Sequence, residues 1–130
     1  MSLGVAVAAW AADQALEHQA EVVKGRPSAA EMQQGQQLFQ QNCAACHQPN
    51  GQGLPPTFPS LVGGKIATGP IAGHIDIVVN GSKKNPAMVA WKTQLTDLEI
   101  AGVITYERNS FGNKAGDMVQ PKEIAAARGK

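Results

Sequence analysis

Cysteine is almost missing: two in 130 residues, at positions 43 and 46 of one short stretch. A single close pair cannot staple distant parts of a chain, so a disulfide-stabilised scaffold is excluded. Aromatics are scarce too, with three Phe, two Trp and one Tyr making 5 %. That is thin for a core of this length, and a core filled by a large apolar group other than a side chain would tolerate it. No charge of one sign dominates; the formal balance is +1, which points neither to nucleic acid nor to an anionic membrane surface. Long apolar runs are absent. The stretch Leu3–Ala12 is about ten residues, too short to cross a bilayer, and Met1-Ser2-Leu3 lacks the basic residues that open a secretory signal. Length alone suits one domain.

What is present centres on Cys43-Ala44-Ala45-Cys46-His47. C-x-x-C-H is the attachment signature of c-type haem. Two thiols two residues apart can each bond one vinyl group of the same porphyrin, and the next histidine is carried under the ring toward iron. Two haem propionates would cancel the small positive excess. Three rivals compete: a zinc site, a redox dithiol and a disulfide. Closed zinc sites want four ligands, and beyond the motif only His18 and His74 remain, neither in a paired pattern. A thioredoxin-like dithiol expects a preceding strand and a βαβ unit, which no stretch supplies. A disulfide would leave His47 without a role. One covalent haem c is the favoured cofactor.

The remaining chain reads as helices separated by long loops. Residues 3–24 suggest an extended start and then a helix carrying Trp10, Glu17, His18 and Glu21, with His18 solvated. Ser28 and Glu31 form a capping box for a helix to about Asn42, with Met32, Leu38 and Phe39 apolar. Gln48–Gly64 holds four of the eight prolines and is a loop wrapping the histidine side of the porphyrin. Metal-bound imidazoles usually give their second N–H to a carbonyl, and Pro55 or Pro56 is placed to accept it. Gly69-Pro70 opens a helix to Asn80, stopped by Gly81, and His74 on it is expected at the surface or half buried. Thr96 and Glu99 form a second box, starting a helix with Leu98, Ile100, Val103, Ile104 and Tyr106 inward. Gly35/Phe39 and Gly102/Tyr106 share one spacing, so each ring is expected over the other helix's glycine. Pro121–Arg128 suggests a last short helix.

The sixth iron ligand decides the function. Methionine sulfur favours Fe(II) and raises the potential. Met1 is terminal, Met32 precedes the haem motif and Met118 lies in the tail. Met88 sits in a loop just before the long last helix, where the chain can fold over the second face. Met88 is the favoured ligand; Met118, His74 or an open site are the alternatives, and an open iron would mean gas binding or peroxidatic chemistry. Lys65, Lys83, Lys84 and Lys92 either ring the exposed haem edge and guide an acidic partner or, the commoner outcome, are ordinary solvated lysines.

With haem motif, distal methionine and glycine-notched helices assembled, residues 28–112 resemble the class I cytochromes c. Val103-Ile104-Thr105-Tyr106-Glu107-Arg108-Asn109-Ser110-Phe111-Gly112-Asn113, followed by Asp117-Met118-Val119-Gln120-Pro121, is similar to the cytochrome c domain fused to subunit II of bacterial haem-copper cytochrome c oxidases. Ala8-Ala9-Trp10-Ala11-Ala12 is similar to the connector after the copper domain there. The resemblance implies an all-α, haem-wrapping fold, with 1–27 a connector and N-terminal helix, 28–112 the cytochrome domain and 113–130 a tail with a short helix. It implies thioethers at Cys43 and Cys46, axial His47 and Met88, and one-electron transfer as the domain where electrons enter the oxidase. Donor would be a redox protein, acceptor the copper centre of the parent subunit. That copper needs cysteines of its own, and none is left in this chain. The domain would do no catalysis itself; the parent complex would. A free periplasmic carrier is the alternative. Attachment of haem in bacteria occurs outside the cytoplasm, so the expected location is the periplasmic side of the inner membrane, in a processed protein or a piece of a longer, membrane-anchored polypeptide. Val89 stands where the family more often has proline after the ligand methionine.

Overall fold

A computed structural model describes residues 27–129; the expected helix within 3–24, with Trp10 and His18, lies outside the described residues. Among the described residues five helices carry the fold: α1 (Ala29–Asn42), α2 (Ala44–His47), α3 (Ile71–Asn80), α4 (Asp97–Arg108) and α5 (Pro121–Arg128), with a single 3-10 turn at Trp91–Thr93. Among the described residues there is no strand beyond an isolated bridge between Leu54 and Phe58, so the fold is all-α. No described helix is long and apolar enough to cross a membrane.

Both predicted helix starts are where the cap residues put them. Thr96 and Glu99 close the full reciprocal box at α4. At α1 the Ser28 hydroxyl accepts from the Glu31 amide at 3.0 Å and itself meets Glu31 Oε1 at 3.4 Å. These caps satisfy amide groups that the first helical turn would otherwise leave unpaired.

Helices α1 and α4 cross at Gly35. A Cβ there would lie 2.5 Å from the Gly102 carbonyl oxygen and 2.7 Å from Tyr106 Cβ, distances no real methyl tolerates. The expected mutual notch is one-sided, however. Among the described residues nothing lies within 4 Å of a Cβ built on Gly102, so Tyr106 fills the space over Gly35 while Phe39 does not return the contact. Phe39 turns instead into a three-ring cluster with Tyr106 and Phe111, centroids 5.2–5.6 Å apart.

The core joins Leu38 and Phe39 of α1 to Ile75, Val78 and Val79 of α3, Ile100, Val103 and Ile104 of α4, and Val119 and Ile124 near the end. Leu98 departs from expectation: it is 48 % exposed. Two residues before Ile100 is about 200° around a helix, so Leu98 cannot share the inward stripe 100–103–104. The next position on that stripe is 107. It holds a glutamate, and Glu107 is buried.

Helix α5 braces this arrangement from outside. Arg128 bonds the carboxylate of Asp97 and donates to the carbonyls of Lys92 and Leu95, tying the chain end to the segment entering α4.

Candidate functional site

The haem motif continues α1 after a small break. Cys43 is both C-cap of α1 and N-cap of α2, with φ −115°. Its amide donates to Phe39 O at 2.8 Å, and the His47 amide donates to Cys43 O at 2.9 Å. One more turn of helix thus presents Cys43, Cys46 and His47 to a single cleft of about 610 Å³, within the size range of cofactor pockets, roughly 300–1,000 Å³. Met88 lines the same cleft from another part of the chain. Of the described methionines, Met32 and Met118 do not reach it.

His47 is held from behind. Its Nδ1 lies 3.2 Å from the Pro59 carbonyl oxygen, so Nδ1–H donates there and Nε2 is left with its lone pair. The acceptor is Pro59, not Pro55 or Pro56. The loop turns back on itself first, with Leu54 and Phe58 exchanging amide bonds at 2.8 and 3.0 Å, and this places the later proline under the ring. Gly53 N donates to His47 O at 2.8 Å and Leu61 N to Gly51 O at 2.7 Å. Buried Asn113 then staples the loop to the end of α4. Its Nδ2 donates to Leu61 O at 2.8 Å and Glu107 O at 3.0 Å, and its Oδ1 accepts from Gly63 N at 2.8 Å.

Met88 lies in a loop closed on itself. Ser82 N donates to Met88 O at 3.0 Å and Met88 N to Asn85 O at 3.1 Å. The Ser82 hydroxyl accepts from the amides of Lys84 and Asn85, and Asn85 Oδ1 from that of Ala87. These side chains hold the turn that leads into Val89. Gly81, at φ +82°, lets the loop fold back: a Cβ there would come within 2.9 Å of Met88 O. One bond spans the cleft mouth, Asn85 Nδ2 to Thr57 O at 3.1 Å.

Burial pushes the Cys43 thiol far above its ordinary range, helped by the nearby Glu107 carboxylate and by Cys46. Both cysteines are free of disulfide bonds. Among the described residues no group of three or more His, Cys, Asp and Glu side chains gathers as a metal site. The walls are largely apolar, including Ile66, Ile77, Val78, Trp91 and Val103. A flat apolar ring with two points of covalent attachment and a ligand on each face fits this donor set.

His74 overturns the expectation of a surface position. It is 2 % exposed and lines the cleft. Its Nε2 lies 2.7 Å from Glu107 Oε2 and its Nδ1 3.3 Å from Arg108 Nη1. Because arginine only donates, Nδ1 accepts and Nε2 carries the proton. Arg108 continues through Asp117, at 2.7 and 3.0 Å, and the carbonyls of Ala67 and Gly69. Sequence reasoning missed Glu107 and Arg108 as site residues, although the inward register of α4 could have exposed Glu107. Of the lysines, Lys65, Lys83 and Lys84 are exposed, while Lys92 is half buried and donates to Asn80 Oδ1 at 2.9 Å.

The comparisons with known proteins agree on one class. A family model described as cytochrome c oxidase, cbb3-type, subunit III matches residues 30–106. The cytochrome c subunit of a quinone alcohol dehydrogenase from Gluconobacter oxydans is 30 % identical over 103 residues, covering 72 % of this chain and 22 % of that subunit. Cytochrome c-552 of Thermus thermophilus is 31 % identical over 102 residues, covering 61 % of this chain and 69 % of that protein. The cbb3-type oxidase subunit CcoP of Azospirillum brasilense is 32 % identical over 97 residues, covering 70 % of this chain and 32 % of the subunit. The chain therefore spans about a fifth to a third of the multidomain relatives.

Proposed function

This chain belongs to the cytochrome c family represented by subunit III of the cbb3-type oxidases, and from that membership we propose how it holds its cofactor and where it works. It is an electron-transfer domain with one covalently bound haem c. In our reading Cys43 and Cys46 form the thioethers, His47 gives iron its nitrogen ligand and Met88 its sulfur ligand. The observation that supports this most directly is the convergence of these four side chains on one apolar cleft.

Bound haem supplies a one-electron Fe(III)/Fe(II) couple; every other task falls to the chain. The Pro59 carbonyl fixes the His47 tautomer and ring plane. The loop 81–90 holds Met88 in place, and the apolar walls keep water from the ring. By holding His47 and Met88 in place, the chain would keep the reorganisation that opposes electron transfer small. No general acid, base or nucleophile is required.

The wider role we propose is that of the domain through which electrons enter a haem-copper cytochrome c oxidase, fused to its subunit II. It would take electrons from a redox protein on the periplasmic side and pass them to the copper centre of the parent polypeptide. The string 103–113 and its continuation to Pro121 support this, as does the embedding of similar domains in longer redox subunits. A free carrier is the second reading, favoured by the 69 % coverage of cytochrome c-552. The gene decides between them. A copper domain and membrane helices encoded directly upstream are expected; a signal peptide there would establish the carrier. For the site, a denaturing gel stained for haem and a spectrum of the reduced protein are the test. Attached, six-coordinate haem is expected, and carbon monoxide binding to the reduced native protein at neutral pH would remove Met88 as ligand.

A further inference from the structure

Glu107 is an unusual residue to find in the wall of an apolar cleft. It is 4 % exposed and occupies the inward stripe of α4 where Ile100, Val103 and Ile104 precede it. A charge buried there needs hydrogen-bond donors close by. His74 Nε2–H donates to it at 2.7 Å, a bond strengthened by the charge of the acceptor. Arg108 Nη1 occupies the other ring nitrogen at 3.3 Å, which fixes His74 as the donor to Glu107.

The charges do not cancel within the network. Arg108 spends its cation chiefly on Asp117, through two bonds, and on backbone carbonyls. One guanidinium thus faces two carboxylates, and Glu107 is the one on the cleft side. Other ionisable groups that line the cleft are Cys43 and Cys46, which thioethers would neutralise, His47, and Lys65 and Lys84, both exposed; Tyr106, the neighbour of Glu107 on α4, also feels its charge. The field of Glu107 reaches the attachment point of the porphyrin, since it is the first charged group acting on the Cys43 sulfur. Glu107 and Arg108 also lie just beyond the family match, which ends at residue 106.

We propose that Glu107, hydrogen-bonded by His74 with Arg108 behind it, is a potential-setting residue: its buried negative charge favours Fe(III) and lowers the reduction potential below that of the same His/Met haem without it. The argument rests on the haem reading above. Oxidised iron carries one more positive charge than reduced iron, and a fixed negative charge in a poorly screened wall stabilises the oxidised form more. His74 and Arg108 are positioning residues in this scheme; neither need touch the cofactor.

The test is spectroelectrochemical titration of the holoprotein and two variants. Glu107→Gln keeps size and the acceptor for His74 but removes the charge. It is expected to shift the Fe(II)/Fe(III) ratio at a fixed applied potential toward Fe(II) by roughly tenfold, about 59 mV upward for one electron. Glu107→Asp keeps the charge and should stay near wild type. An unchanged potential in the Gln variant, or an equal rise in both, overturns the proposal. Haem staining and a six-coordinate reduced spectrum of the wild type are read first, so that failure of the haem reading is seen separately. Should the Gln variant not fold, infrared difference spectra of wild-type holoprotein with carboxyl-labelled glutamate decide. No label-sensitive protonated carboxyl stretch is expected at neutral pH in either oxidation state, and finding one overturns the proposal.

Discussion

His47 reaches the cleft on the last turn of a helix that began at Ser28, and its ring is then pinned from behind by a loop stapled at Asn113. Met88 has no helix beneath it. It rides on a loop whose ties are nearly all internal, Ser82 and Asn85 bonding their own neighbours, with one bond across to Thr57. The histidine side is therefore built by long-range contacts, the methionine side by local ones. A local loop can open while the rest of the fold stays intact, so the sulfur side is the one that should yield first.

The largest test of that asymmetry is removal of each ligand. His47→Ala takes away the residue that joins helix, loop and cofactor, and holoprotein yield should fall to near zero on a haem-stained gel. Met88→Ala should leave haem attached and the helices formed. It opens one iron face instead, giving carbon monoxide binding to the reduced form and a lower potential; a Met88→Ala variant that binds no carbon monoxide and keeps its potential would refute the sulfur ligand.

Smaller effects should separate the supports. Asn113→Ala leaves Gly63 N–H without its partner and takes one donor each from the Leu61 and Glu107 carbonyls, and chemical denaturation of the holoprotein should show a loss of about 2–3 kcal/mol. Asn85→Ala removes more exposed bonds and should cost about 1 kcal/mol, yet it should speed imidazole binding at iron, which Asn113→Ala should affect less. Equal effects of both on ligand binding would erase the distinction. The smallest effect concerns Cys43 before haem attachment. With its thiol held protonated by burial and by Glu107, alkylation in the folded apoprotein should be slow at neutral pH. It should accelerate as pH rises toward the raised value, and denaturant should restore ordinary thiol reactivity.

Much of this was legible because its signals are local. A five-residue motif, two cap pairs and a Pro-start, Gly-stop helix need only their neighbours, and α1, α3, α4 and α5 begin where those residues predicted. Met88 stood out among four methionines by its place in the chain, and of the described methionines it is the one that lines the cleft. What escaped were choices made by chain reversal. Pro55 and Pro59 look alike until the Leu54–Phe58 bridge decides which carbonyl lies beneath the imidazole. Gly102 matched Gly35 in spacing, but spacing does not say which face two crossing helices share. His74 looked like a surface residue because its partners are 33 and 34 positions away. Leu98 was expected inward and Glu107 was passed over, although the 3.6-residue register sends the first out and the second in.

Without a sheet, the long loops here use side-chain amides as rungs, and Asn113 is the clearest. It gives two hydrogens to carbonyl oxygens and takes one from Gly63. Hydrolysis of that amide to a carboxylate would turn both donors into acceptors facing acceptors, with no change in size. Loss of that one buried nitrogen would then loosen the loop that holds the histidine from behind.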